Sequence, residues 1–269
     1  MINVSIVVHN TDYRQLQQAL SCLSNKDIDT IYIIDNGPDD LLRKISSSFD
    51  KIKYRHVKNN GFGAGHNIAL AETIKRGTEY HLVMNADVKW EGDILTPLIE
   101  YLKQHPNTGL IAPKTFYPNG EIQYTCRMLP TPWDLFLKRF LPSGFKKRRM
   151  NRYLLQDYDH QSPINCPYLL GSFMLFRTEA LKDTGLFDER FFMYPEDIDI
   201  TRRIHEKWET IYWPGVSIIH EHQRASYKNF KMFWIHFSNM VKYFNKWGWI
   251  KDKGRKKINR ELQKAIRNI

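Results

Sequence analysis

Three short apolar runs in the first third of the chain, each ending in polar residues, limit the available architectures most. Residues 3–9 and 30–34 are rich in Val and Ile, residues 80–84 are Tyr-His-Leu-Val-Met, and each reads as a buried strand. Residues 53–57 form a weaker strand, third in chain order, which makes 80–84 the fourth. Between them lie helical patterns at residues 12–24, 39–49 and 66–76, the first with Leu16, Ala19, Leu20 and Leu23 on one face. This alternation predicts an α/β fold, a mostly parallel sheet with right-handed crossovers. In such sheets ligands bind beyond the carboxyl ends of the strands. Val8-His9, Asp35-Asn36 and Asn85-Ala86-Asp87 all fall at that edge.

Between the third strand and the next helix runs Asn59-Asn60-Gly61-Phe62-Gly63-Ala64-Gly65-His66-Asn67. Glycines on alternate positions let a backbone approach a ligand closely, and the following helix N-terminus favours an anion. The alternative is a flexible turn capped by Asn67. The segment is not a dinucleotide fingerprint, because it follows the third strand and its spacing differs. Further on, residues 93–104 read as a helix, 109–113 as a strand and 117–122 as a hairpin around Asn119-Gly120. Periodicity fails over residues 127–152, where Pro130, Pro132, Trp133 and Phe136 precede Lys146-Lys147-Arg148-Arg149; this part reads as an insertion near the cleft or a solvated loop. Residues 168–177 read as one buried strand in which Gly171 marks a close contact. Residues 178–183 form a short helix, and residues 210–213 and 216–219 two strands before His220-Glu221-His222.

The stretch Pro195-Glu196-Asp197-Ile198-Asp199-Ile200-Thr201-Arg202-Arg203 places three carboxylates at a helix start. Proline suits the first turn, the helix dipole favours acids there, and Asp199 and Arg203 are spaced for a surface pair one turn apart. After residue 228, Phe230, Phe233, Trp234, Phe237, Val241 and Phe244 recur at helical spacing. Most of the chain's net charge of +11 lies in this tail, which suits an anionic membrane interface, a helix packed on the core, or RNA. No recognised nucleic-acid module accompanies it, so nucleic acid is not an expected partner. The chain's 269 residues fit one large domain, or a domain with an appendage, and the 42% hydrophobic content excludes a disordered chain. Cys22, Cys126 and Cys166 lack disulfide or metal spacing, consistent with a reducing cytoplasm. Residues 1–9 do not resemble a signal peptide, and no apolar run approaches the roughly 18–20 residues that span a bilayer.

Five features in order carry a resemblance: the first strand with its polar end, Ile34-Asp35-Asn36, Asn60-Gly61-Phe62-Gly63-Ala64-Gly65-His66-Asn67, Asn85-Ala86-Asp87, and Glu196-Asp197 with Asp199 and Arg203. Over about residues 1–225 the chain resembles the family 2 inverting glycosyltransferases, and most of all bacterial rhamnosyltransferases of surface-polysaccharide assembly. The resemblance implies a GT-A fold: a Rossmann-like, mostly parallel sheet flanked by helices. It implies a glycosyltransferase domain over residues 1–227, with a nucleotide-binding half (1–115) and an acceptor half (116–227). Residues 228–269 form a C-terminal amphipathic extension. Asp197 would be the general base and Glu196 its neighbour, orienting base or acceptor. His9, Asn10, Asp35 and Asn36 would contact the nucleoside, while Asn60, Gly61, Gly65 and Asn67 border the donor. Asn85 stands where the family has the first acid of Asp-X-Asp, so Asn85 and Ala86 would meet ribose or diphosphate and Asp87 a divalent cation, Mg²⁺ or Mn²⁺. His220, with His222 as substitute, would complete the metal shell. Arg202 or Arg203 would meet the leaving diphosphate. The donor implied is dTDP-rhamnose and the acceptor a polyprenyl-diphosphate-linked saccharide at the inner membrane face. Alternatives are a UDP-sugar donor, a sugar-1-phosphate nucleotidyltransferase and a non-catalytic nucleotide or RNA binder. The nucleotidyltransferase should carry a Gly-rich, Arg-containing loop after the first strand, where this chain has His9-Asn10-Thr11-Asp12.

Overall fold

The structure is a computed structural model describing residues 1–47, 50–136, 143–221 and 230–269. It opens with β1 (Ile2–Val8), α1 (Tyr13–Ser21), β2 (Ile28–Asp35), a short 3-10 helix (Leu41–Ser47), β3 (Ile52–His56), α2 (Phe62–Arg76) and β4 (Tyr80–Met84). There follow β5 (Val88–Lys89), α3 (Leu95–Gln104), β6 (Thr108–Phe116), β7 (Cys126–Arg127), α4 (Pro132–Phe136), α5 (Ser143–Tyr153) and β8 (Ile164–Asn165). The remainder is β9 (Tyr168–Leu169), β10 (Phe173–Arg177), α6 (Thr178–Thr184), α7 (Glu196–His205), β11 (Glu209–His220), α8 (Phe230–Trp247) and α9 (Lys253–Arg267).

One nine-stranded sheet runs β3-β2-β1-β4-β10-β6-β11-β5, with β8 beside β11, while β7 and β9 make a separate ribbon. Strands β3, β2, β1 and β4 are parallel, as the alternation predicts. β10 enters antiparallel between β4 and β6, and β11 returns parallel to β6. Both faces are covered. Leu16 and Leu20 of α1 and Leu95, Leu98 and Leu102 of α3 pack with Val4, Ile6 and Leu82 on one side. Leu70 of α2, Ala180 and Leu181 of α6 and Ile198 and Ile204 of α7 pack with Val83, Leu110 and Met174 on the other. That double burial lets β2 and β4 read as near-continuous apolar runs, whereas β1 carries two polar residues, Asn3 and Ser5, buried and hydrogen-bonded to Thr73 and His66.

Three expected elements change form. The helix of residues 39–49 is a 3-10 turn over Leu41–Ser47. Residues 168–177 are two strands, because the chain leaves β9 and turns at Gly171-Ser172 before joining the main sheet. The two strands of 210–219 are one, β11, whose register against β6 slips between Trp213 and Ser217, where Pro214 interrupts it.

The tail is built into the body. Met240, Tyr243 and Phe244 of α8 and Leu262 of α9 are buried in the same core as α7, with a break between the helices at Gly248, in the left-handed region (φ 101°). Asn239 donates to the Met193 carbonyl at 3.1 Å, Lys242 to the Arg190 carbonyl at 2.9 Å, and Lys246 pairs with Asp188 and Asp199. α8 therefore braces the segment leading into the acidic helix. Asp199 and Arg203 do pair, at 2.9 Å, but Asp199 is fully buried rather than on the surface, because Trp247 and Lys246 cover it.

Candidate active site

The ends of the parallel strands define one wall. Val8 aligns with Asp35, and Asp35 with His56, so the polar residues that follow emerge level with one another. Asp35 is buried; its carboxylate accepts from the Gly37 N–H at 2.7 Å and the Tyr54 hydroxyl at 2.5 Å. Burial, then this carboxylate, pushes the Tyr54 phenol well above its ordinary range. His9 Nδ1 lies 2.8 Å from the Asn36 carbonyl, and Asn59 reaches the same nitrogen at 3.4 Å. His9 and Asn10 are exposed at the rim, Asn10 with φ 52°. The structure thus gathers His9, Asn10, Asp35 and Asn36 at one edge.

The glycine segment serves packing within the chain rather than an open loop. α2 starts at Phe62, so Gly63 and Gly65 lie in its first turns. Gly61 has φ 104°, and a Cβ there would sit 2.2 Å from the Phe192 carbonyl oxygen, which accepts from the Phe62 N–H. A Cβ on Gly63 would meet Phe187, and one on Gly65 would meet Val7, both at 2.8 Å. Asn67 neither caps a turn nor faces the sheet edge: its amide donates to the Phe187 carbonyl and accepts from the Phe187 N–H at 2.9 and 3.0 Å. Asn60 alone of these residues is exposed. The glycines thus let α2 approach the 187–196 segment closely enough to place the acidic helix.

At the end of β4, Asn85, Asp87 and His220 converge. Pairing of β5 with β11 sets His220 opposite Val88, next to Asp87. His220 Nε2 is 3.3 Å from Asp87 Oδ1 and 3.4 Å from the Asn85 amide nitrogen. On its other side, Nδ1 meets Gln123 Oε1 at 2.7 Å. With Gln123 Oε1 accepting from Nδ1–H, Nε2 turns a lone pair toward the Asn85 amide and the Asp87 carboxylate. A hard or borderline divalent cation suits such an oxygen and nitrogen pair, with its remaining ligands supplied from outside the chain. Among the described residues no cluster of three or more His, Cys, Asp or Glu side chains makes a complete protein cage. His222 lies outside the described residues.

One dipeptide joins this group to the acidic helix. The Ser172 carbonyl accepts from the Asn85 N–H at 3.0 Å, while the Gly171 N–H donates to Asp197 Oδ2 at 3.0 Å. A Cβ on Gly171 would stand 3.2 Å from that of Asp197, so the close contact read from the sequence is with this carboxylate. Asp197 Oδ1 accepts from the Ile198 N–H at 2.8 Å, and the Tyr168 hydroxyl stands 3.5 Å from Oδ2. Burial pushes the Asp197 carboxyl up to about 6, against the pull of these N–H groups and of Arg127. Burial, then its charged neighbour, drives Glu196 well above the usual carboxylate range. Two adjacent buried carboxyls, both with raised proton affinity, make a suitable acid–base arrangement.

Two arginines are engaged elsewhere. Expected to reach a leaving diphosphate, Arg202 is buried, bonds Asp252 through both Nη atoms at 2.8 Å and lies over the Trp247 ring at 3.9 Å. Arg203 binds Asp199 and the carbonyls of Thr184, Gly185 and Leu186. Both hold α7 in place, because its outer face is covered by α8 and the 184–186 turn. Sequence patterns missed Gln123, Arg127 and Tyr168. Arg127 is a cation in electrostatic reach of Asp197, and it stacks over Tyr168 at 5.6 Å. None of these three has a spacing to betray it; only the ribbon of β7 and β9 brings two of them to the site.

Relatives share this arrangement's framework. An N-acetylglucosaminyl-diphospho-decaprenol L-rhamnosyltransferase of Mycobacterium tuberculosis is 27% identical over 143 residues, 53% of this chain and 47% of that one. The chain thus spans about half the length of that relative. Rhamnosyltransferase WbbL of Escherichia coli K12 is 26% identical over 90% of this chain and 92% of its own. Among solved structures, GalNAc-T7 with UDP, GalNAc and Mn²⁺ superposes with TM-score 0.61 at 17% identity, over 82% of this chain and 43% of that one. A fragment of S. aureus TarS in complex with UDP gives TM-score 0.60 at 14% identity, over 100% of this chain and 72% of that one. The fold is therefore GT-A. The glycosyl transferase family 2 profile matches residues 4–185, more than half of the sequence, and the chain belongs to that family.

Proposed function

We propose that the protein transfers L-rhamnose from dTDP-rhamnose to a lipid-diphosphate-linked saccharide, with inversion, in bacterial surface-polysaccharide synthesis. The observation that carries the reading is the Gly171-Ser172 link, which holds Asp197 on one side and the Asn85-Asp87-His220 group on the other. The rhamnosyltransferase names of the relatives support the sugar and the acceptor.

In this reading the nucleoside lies along Asp35, Asn36, His9 and Asn10, and Asn85 and Ala86 border the ribose and diphosphate. Asp87 and His220 would hold a divalent cation, which would supply charge neutralisation for the departing diphosphate. Asp197 takes the proton of the acceptor hydroxyl as it attacks the anomeric carbon from the face opposite the leaving group; a single displacement inverts that centre. Glu196, whose proton affinity burial raises, is the neighbour that orients Asp197 or the acceptor. Arg127 stabilises the Asp197 charge before the proton arrives. The Gly171 and Ile198 N–H groups fix the carboxylate's direction, which matters because small misplacements of a catalytic group are costly.

We place the enzyme at the cytoplasmic face of the cell membrane as a peripheral protein. Trp133, Trp234, Phe237, Trp249 and Ile250 are exposed beside a cationic tail, and no described helix is long and apolar enough to cross a bilayer.

A donor screen by nucleoside-diphosphate release, with and without Mn²⁺ or Mg²⁺, tests the reading. Thymidine diphosphate released from dTDP-rhamnose in a metal-dependent way is the expected result. Release only from a UDP-sugar moves the enzyme to another donor class, and no release from any donor overturns the reading.

A further inference from the structure

A second cavity lies away from the strand ends, between residues 128–134, the C-terminal half of α5 and α9. It encloses about 750 Å³. α9 is fastened there by Asn259, whose side chain bonds the N–H and carbonyl of Leu129 at 2.9 Å each, and by Arg255, which donates to the Pro130 carbonyl. The walls are cationic. Asp134 is a lining carboxylate, and Arg149 neutralises it at 2.5 Å. Arg152 is oriented by Gln263 at 2.8 Å. Arg148, Lys256 and Arg260 line the same space without an ion pair among the described residues. The floor is apolar, made by Met128 and Leu129, and Trp133 stands at the cavity 57% exposed.

Such a cavity, cationic on its walls and apolar beneath, matches a phosphate ester carried on a hydrocarbon chain. It is also connected to the chemistry. Tyr153 in its wall is in electrostatic reach of Asp197 and Arg127, and its carbonyl accepts from the Met128 N–H at 3.1 Å. Arg127, adjacent in the chain to the floor residue Met128, stacks on Tyr168, whose hydroxyl faces Asp197. We propose that this cavity binds the diphosphate of the lipid-linked acceptor, placing Arg148, Arg152, Lys256 and Arg260 around its oxygens and Trp133 against the first isoprene units. This rests on the glycosyltransferase reading above and adds the acceptor's anchoring site to it.

Calorimetric titration of the full chain with farnesyl diphosphate tests the assignment, with farnesol, thymidine diphosphate and phosphatidylglycerol vesicles as separate arms. Farnesyl diphosphate should bind, farnesol should not, and excess thymidine diphosphate should not displace it. R148Q/R260Q, altering two exposed side chains and so keeping the parent's melting temperature, should weaken farnesyl diphosphate about tenfold, roughly one charge-assisted hydrogen bond. It should leave thymidine diphosphate affinity unchanged. Equal affinity in R148Q/R260Q, displacement by thymidine diphosphate, or failure of farnesyl diphosphate to bind while phosphatidylglycerol vesicles do would overturn the assignment. Loss of thymidine diphosphate binding in the parent protein instead overturns the glycosyltransferase reading, so the two failures are distinguishable.

Discussion

At the scale of single residues, Asp197 is defined by opposing forces. Burial raises its proton affinity, while two backbone N–H groups and Arg127 lower it, and the balance lies near 6. A base is active when deprotonated, so the rate of transfer is expected to rise with pH and level off above an apparent pKa of about 6. A flat profile between pH 5 and 8 would assign the base elsewhere. The same shift links to stability in the opposite sense to a salt-bridged acid. The folded state holds the proton more tightly than the unfolded chain, whose value is 3.8, so the stabilisation is complete below that and lost as pH rises to about 6. The difference in melting temperature between wild type and Asp197→Asn should therefore move in the variant's favour from pH 4 to pH 7, and a constant difference would contradict the shift. His220 shows how far one sequence position is readable: its place after the last strand made it a candidate, but Gln123, which sets its tautomer, has no pattern at all.

At the scale of elements, α7 stays in place through contacts on three sides. Arg202 and Asp252 form a buried pair, 2% and 3% exposed, and removing one partner strands the other charge. Asp252→Asn is expected to cost about 3–5 kcal/mol in denaturant unfolding, whereas an exposed pair such as Lys257 with Glu261 should give under about 1 kcal/mol. Gly61→Ala meets a different obstacle: φ of 104° and a backbone oxygen 2.2 Å from the new Cβ. Loss of about 1–3 kcal/mol is expected together with loss of transfer, because the Phe192 segment that leads into Glu196 must shift. Wild-type stability in that variant would mean the segment is not fixed there. These elements also mark the limit of sequence reading. The parallel half was legible because its buried strands carry mostly apolar runs alternating with helical patterns, even though Asn3, Ser5 and His81 are buried among them. The glycine segment was located correctly, yet its partners, Phe187, Phe192 and Val7, are distant in the chain, so its packing role was not legible. The Asp199–Arg203 pair was legible from its one-turn spacing, whereas Asp252, the partner of Arg202, and the 184–186 carbonyls that Arg203 also binds are distant in the chain and were not.

At the scale of the molecule, basic helices, exposed aromatics and the acidic helix α7 form one body. α8 and α9 bury Tyr243, Phe244 and Leu262, so deleting the tail would open the core rather than test a membrane anchor. Substituting exposed residues is the cleaner approach. Trp234→Ser with Trp249→Ser is expected to reduce co-sedimentation with phosphatidylglycerol liposomes while leaving the melting temperature within a few degrees; unchanged sedimentation would remove this face from the membrane. The most direct measurement is thymidine diphosphate release from dTDP-rhamnose with a lipid-diphosphate-linked N-acetylglucosamine acceptor, compared between wild type and Asp197→Asn. The expected result is a loss of about 10²–10⁴-fold in rate with thymidine diphosphate affinity retained. Wild-type turnover by Asp197→Asn would contradict the assignment of the base on which the mechanism stands.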